Sequence, residues 1–412
     1  MTARGADVIV VGGGPAGAAT AWALATNGIE TLVVDRARFP RAKPCAEYLS
    51  PQATRMVHEM GALAELEGDG VAKLAGMRLF SRSGVSFEGR FVGEHGFHAY
   101  ADHGLAVRRE RLDLALLNRA RAAGAMVLEE SVVQDIVRDA AGRACGVVVR
   151  RGEVVDEMRS NFVVGADGLR SVVARRLGLA RRFRWPERFA FVSHYRGIEG
   201  IGDCGEMHLF DGEYCGLADV GDGVTNVAIV LPSSAARGAS GDPDAFFESW
   251  LAAHPTLARR FTRAERVSPV LTTGPFAARS HAAFAAGAAL VGDAADFYDP
   301  FTGEGIYAAL RGGELLAPYL IESLRATPAR AHEALEAYDR ARRHEFGGKW
   351  QMERLMALAV AQPSLMDHVA VRLRERRDLS DLLVGVAGDF IPAGEVLNFR
   401  FAFQLLAPSF AV

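Results

Sequence analysis

The chain has 412 residues, half of them hydrophobic, and a formal net charge of -3, the profile of a soluble globular protein with core enough for two lobes. No basic excess announces a nucleic-acid partner, and Cys45, Cys145, Cys204 and Cys215 lack the spacing of a zinc site or a disulfide framework. With no apolar run approaching about 18 residues, neither a secretion signal nor a membrane span is expected, and a reducing cytoplasm fits.

The first stretch reads strand, glycine turn, helix, strand. Val8-Ile9-Val10-Val11 is a β-branched run suited to a strand buried on both faces of a parallel sheet. Gly12-Gly13-Gly14-Pro15-Ala16-Gly17 follows, then a small-residue helix through Leu24, and Thr31-Leu32-Val33-Val34 ends on Asp35. The spacing matches a dinucleotide fingerprint: Gly12 permits the tight turn, Gly14 lets backbone approach a pyrophosphate, and Gly17 allows close helix-strand packing. Pro15 and Ala16 open a helix whose free N–H groups and positive dipole end face the phosphates. Asp35 is placed for a ribose hydroxyl pair. Glycines so spaced can serve packing alone, but the strand, helix and acid together point to an adenine dinucleotide.

Residues 36–51 carry three prolines and four cations. A solvated loop is one reading; the other lays Arg36 and Arg41 along the dinucleotide, with Cys45 to Pro51 at its far end. A helix is expected over 52–68. Residues 76–100 alternate in hairpin fashion, and His95 and His98 lack further ligands at metal spacing, so no metal is expected. Val107 to Gly124 reads as a helix with a glycine C-cap. The segments Val127–Glu129, Val132–Arg138 and Gly146–Arg150 read as a sheet layered over the first. Phe162 to Ser171 repeats the strand-to-turn grammar, with Asp167 at the strand end. Residues 186–232 form a second block of alternation, an antiparallel sheet expected to cover a ligand, and Asp244–Arg260 reads as a helix.

Ala288–Val291 is another buried strand, and it feeds Gly292-Asp293 and then Asp299-Pro300-Phe301-Thr302-Gly303-Glu304-Gly305-Ile306, which enters a helix. Its glycines make a second site of backbone approach, where amides face an anion or an electron-rich ring, and Asp293 can bond a ribityl or ribose hydroxyl. Helices are expected over 333–343 and 351–384. The apolar tail, with aromatics at 399, 401, 403 and 410, reads as a packed cap or as a membrane-surface anchor.

The trio of Gly12 to Gly17 with Asp35, Gly165-Ala166-Asp167-Gly168, and Gly292-Asp293 with Pro300 to Gly305 resembles the FAD-dependent hydroxylase superfamily. Within it, Lys43-Pro44-Cys45, Leu49-Ser50-Pro51 and Asp299 to Ile306 resemble the geranylgeranyl-reductase-like branch, close to the flavin-dependent halogenases. The likeness implies an α/β fold: a Rossmann-like FAD-binding domain with a parallel sheet (1–75, 101–185 and 270–350), an antiparallel substrate-binding sheet (76–100 and 186–269) and a C-terminal helical cap (351–412). It implies that Asp35 holds the adenosine ribose, that Arg108 reaches the FAD, that Asp293 meets its pyrophosphate-ribityl region, and that Gly303, Glu304, Gly305 and Ile306 lie under the isoalloxazine with Pro300 beside them. After Cys45 this chain has Ala46-Glu47 where the branch commonly has two glycines, and Tyr214-Cys215-Gly216 replaces its tyrosine-tryptophan strand. The reaction expected first is monooxygenation of an apolar or aromatic substrate through a flavin C4a-hydroperoxide, with NAD(P)H as transient reductant. The alternative is hydride delivery from flavin N5 to a carbon-carbon double bond of a prenyl or quinone substrate, a proton coming from Cys45, Tyr48 or Tyr214. Peripheral contact with a membrane and the oligomeric state stay open.

Overall fold

A computed structural model describes residues 5–68, 70–93, 96–182, 187–239 and 241–406. His95 and Phe410 lie outside the described residues. The architecture is mixed α/β, with one largely parallel sheet, a second largely antiparallel sheet and a run of C-terminal helices.

Strand Ala6–Val11 lies in the middle of the parallel sheet, between Thr31–Val34 and Val154–Gly165. The sheet extends to Met126–Leu128 on one side and to Ala288–Leu290 on the other. Val8, Ile9 and Val10 are wholly buried, as a strand covered on both faces requires. The register sets Val11 level with Val34 and Gly165, and Gly165 level with Leu290. Three glycine-bearing turns, over a hundred residues apart in sequence, therefore leave the sheet at one height.

The segments read as a separate layer belong to this sheet. Met126–Leu128 is its parallel edge strand, while Val132–Arg138 and Ala144–Arg151 run antiparallel onto the first half of Val154–Gly165. That strand is long enough, at 12 residues, to serve both neighbours. Two expected helices are broken: 52–68 at Gly61, which takes a φ of +78°, and 244–260 before Pro255. Helix Pro328–Val360 takes in the expected 333–343 and the start of 351–384, the rest of which breaks into Pro363–Glu375 and Arg377–Ala387.

The second sheet joins Arg188–Arg196, Val224–Pro232, Tyr214–Asp219 and Cys204–Leu209 in antiparallel order. It is completed by the hairpin Gly76–Phe80 and Ser86–Arg90, whose first strand pairs parallel with Cys204–Leu209. The expected antiparallel sheet thus holds one parallel pair, because its hairpin arrives from a distant part of the chain. Helices Pro363–Glu375 and Arg377–Ala387 pack on the hairpin, and Phe401 of the final helix is buried, whereas Phe399 and Phe403 are exposed. Among the described residues no helix is long and apolar enough to cross a membrane.

Candidate functional site

The three turns press on one another. Gly12, at φ +103°, leaves no room for a side chain against the Ala166 carbonyl, and Gly17 none against that of Gly12. A methyl group on Gly292 would stand 2.9 Å from the Ala16 side chain. Such contacts admit only glycine, which is why the motifs meet as backbone. Gly14 is the N-cap of helix Pro15–Thr26, whose first turn has no side-chain cap, so its amides are free to face an anion.

Asp35, almost fully buried, accepts the Gly13 N–H at 2.6 Å and that of Ala37 at 2.8 Å. It shapes the turn from the next strand and, with about four lone-pair sites on a carboxylate, keeps acceptor capacity for a hydroxyl. Asp167 accepts the Val172 N–H at 2.6 Å, and burial raises its pKa. Arg36 is exposed. Arg41 pairs with the fully buried Asp113 at 2.9 Å and stands 3.5 Å from where a Gly14 side chain would begin.

Arg108 precedes helix Arg109–Ala122, is part-exposed, pairs with Glu110 at 3.1 Å and has its Nε buried without a partner. Arg109 is the one that faces Gly14, 4.0 Å from the same point. Asp113, one turn on, holds it at 2.7 and 2.8 Å.

Lys43 sits near Gly168; burial and then Arg109 lower its pKa, while Asp293 and Asp113 support its charge. Arg41, Lys43 and Arg109, with the uncapped helix, form a cationic collar around the first turn, the donor set a pyrophosphate needs.

Beyond the collar, Cys45 is half-buried and its Sγ accepts the Glu47 N–H at 3.3 Å; Ala46 is half-buried beside it. Glu47 takes a left-handed φ of +61°, which carries a non-glycine residue only where its surroundings hold it. Its carboxylate accepts the Arg109 N–H at 2.9 Å, meets His194 Nε2 at 2.7 Å and accepts from Asn226 Nδ2 at 3.1 Å. Asn226 also donates to the Cys45 carbonyl at 2.9 Å. The cofactor loop is in this way fastened to the second sheet.

Pro300 begins a short turn that ends at Gly303, φ +74°, and helix Gly305–Arg325 follows with Ile306 buried and Gly305 facing open space. Asp299 accepts from Tyr214 Oη at 2.6 Å and from Phe301 N–H at 3.1 Å, and pairs with Arg188 at 3.2 Å. Burial raises the pKa of Asp299 against the pull of Arg188 and Tyr214. The Tyr48 ring lies 3.1 Å from where a Gly303 side chain would begin, and its hydroxyl is buried without a partner. Cys45 stands with the collar, whereas Tyr48, Tyr214 and Pro300 gather at the second turn.

Against this turn lies a half-open, largely apolar cleft with a cavity volume of about 80 Å³. Met77, Met207, Met352 and Met356 line it with Phe87, Phe301 and Val384, and Thr302 and Glu304 are its contact with the turn. An orphaned buried hydroxyl, free helix amides, a cationic collar and an open backbone at Gly305 suit a bound dinucleotide with an aromatic ring. Arg109, Lys43, Glu47 and His194 escaped the sequence reading. Only the Lys43-Pro44-Cys45 motif carried a local signal for any of them.

A domain family described as "FAD binding domain" matches residues 5–192. Menaquinone reductase of Mycobacterium tuberculosis is 30% identical over 337 residues, covering 76% of this chain and 76% of that protein. Digeranylgeranylglycerophospholipid reductase 2 of Methanopyrus kandleri is 27% identical over 349 residues, covering 83% of each. The solved structure of a flavin-dependent brominase matches 97% of this chain and 98% of its own with a TM-score of 0.82 at 21% identity, a likeness of fold.

Proposed function

This chain belongs to the FAD-dependent hydroxylase superfamily, in its geranylgeranyl-reductase-like branch, and from that premise we propose that it reduces a carbon-carbon double bond in the prenyl chain of an apolar substrate. That it is an FAD-dependent oxidoreductase follows from the family; the direction of the chemistry is our reading. The observation that carries it is the methionine-lined cavity ending on Thr302 and Glu304. It offers an unsaturated hydrocarbon a dry wall and, at the end nearest the flavin-facing turn, a buried carboxyl. The relatives named reductases of prenylated lipids by their own titles lend the substrate class.

Bound FAD, reduced by NAD(P)H docking transiently, would supply the hydride. The chain does the rest. Arg41, Lys43 and Arg109 would hold the pyrophosphate, the open backbone at Gly305 would face the ring, and the apolar wall would limit water. Tyr48 packs on Gly303 and would hold that backbone in place beside the ring. Tyr214 is committed to Asp299 and so shapes the turn.

The test is anaerobic. Dithionite-reduced holoenzyme mixed under argon with a menaquinone or a polyprenyl lipid should return oxidised flavin and a product richer by two hydrogens. A product formed only with oxygen, and carrying an oxygen atom, would establish the monooxygenation expected first and overturn this reading.

A further inference from the structure

Helix Phe399–Leu406 has six apolar residues among its eight, and only one side of it is covered. Phe401 is buried in a core that it shares with Leu373 and Val396. Phe399, Phe403 and Leu406 recur at i, i+4 and i+7, so they form one row along the helix, and they are 86%, 62% and 55% exposed. A single exposed apolar side chain is ordinary; a row of three, on a helix whose far side is already in the core, marks a contact surface. Arg400 and Gln404, one turn apart, run as a polar line between the exposed row and the buried side. The preceding helices add Leu355, Leu358 and Leu365 to the exposed apolar residues of this cap. Met352 and Met356, on the same helix as the first two, line the cleft on its inner side.

The charge beside this surface is positive. In the last turn of Pro363–Glu375, Arg372 donates to the Gln404 carbonyl at 3.4 Å. Two residues on, Arg374 lines an open cleft of about 350 Å³ with Arg78, Arg377 and a single carboxylate, Glu88. That carboxylate is already held by Arg78 and Arg90, and Arg377 reaches it only at 3.5 Å. Arg374 and Arg400 are exposed and have no ion-pair partner among the described residues. We propose that this C-terminal cap docks on a lipid bilayer carrying anionic headgroups. Phe399, Phe403 and Leu406 sink to the boundary of headgroups and acyl chains, about 5–10 Å deep, and the arginines face the lipid phosphates. A second copy of the chain would also cover an apolar row, but a two-fold contact sets each patch against itself and so brings arginine toward arginine. The proposal stands without the reductase reading; with it, docking sets the inner cleft within reach of a substrate that stays in the bilayer.

Flotation of the FAD-loaded holoenzyme with lipid vesicles tests it. The parent should bind vesicles of mixed phosphatidylcholine and phosphatidylglycerol at least about tenfold more tightly than vesicles of phosphatidylcholine alone, and should lose that preference at molar salt. Phe399→Ser/Phe403→Ser should cut binding to the mixed vesicles at least about tenfold, and Arg374→Glu/Arg400→Glu should erase the preference for them. All four side chains are exposed, so each variant should unfold at the parent's temperature and keep its flavin. No binding by the parent, or unchanged binding by the aromatic pair, would overturn the proposal. So would a parent dimer in sedimentation that Phe399→Ser/Phe403→Ser splits, which assigns the row to a second copy. A parent that binds the mixed vesicles but reduces no prenyl substrate removes the reductase reading and leaves the docking face standing.

Discussion

The Glu47 carboxylate and the His194 imidazole meet at 2.7 Å between two parts of the chain 147 residues apart, the cofactor loop and the second sheet. Both are at least nine-tenths buried. Deleting the carboxylate removes a partner from the Arg109 N–H, His194 Nε2 and Asn226 Nδ2 together. Removing one partner from such a buried network costs about 3 kcal/mol. Glu47→Ala should therefore loosen the loop that carries Arg41 and Lys43. FAD affinity, followed by quenching of flavin fluorescence, should fall at least tenfold; unchanged affinity would show that the fastening does not serve the cofactor.

Gly17 and Gly305 make opposite demands. A methyl group at Gly17 collides with the Gly12 backbone, whereas nothing lies within 4 Å of one at Gly305. Gly17→Ala should give an unstable, colourless protein. Gly305→Ala should unfold at the parent's temperature or slightly above, since alanine is the better helix former by about 1 kcal/mol, yet bind FAD more weakly if the ring rests on that residue. Thermal scans with and without FAD separate the two effects.

Asp299 depends on two donors of unequal consequence. Tyr214→Phe removes one neutral hydrogen bond, a loss of about 1 kcal/mol. Arg188→Met leaves a buried carboxylate without its cation, a loss of roughly 3 to 5 kcal/mol. Denaturant titration of the two variants should rank them in that order.

On the outer face of the second sheet, Glu206 is gripped by His208 at 2.8 Å and by Arg260. Burial pushes its pKa up, but these two hydrogen-bond donors outweigh burial and leave it below the ordinary value. A carboxyl depressed on folding contributes stability above its unfolded pKa, about 4.3, and loses it as pH falls through the folded value. Glu206→Gln should thus be less stable than the parent at pH 7 by about 3 kcal/mol, with the gap closing below about pH 4.

What could be read in the sequence was local. The glycine turns announce themselves because one strand, one turn and one helix specify each, and their convergence follows once the strands are level. Arg109, next to the Arg108 that the resemblance singles out, carried no mark of its own, since residue spacing does not say at which residue a helix begins. Glu47 is marked only as standing where the branch commonly has glycine, and His194 not at all: their meaning lies in a contact between segments that only the folded chain brings together. Gly76–Phe80 pairs parallel with Cys204–Leu209, again across more than a hundred residues, so its alternation disclosed a strand but not its neighbour.

The level strand ends have a consequence for synthesis. The grip on the nucleotide draws its parts from near residue 12, near residue 167 and near residue 292, so a nascent chain emerging from the ribosome owns a half-made clasp until its final third has appeared. Cofactor capture then belongs to the last act of biogenesis, and a message truncated before Gly292 should yield a polypeptide that no supply of flavin can rescue.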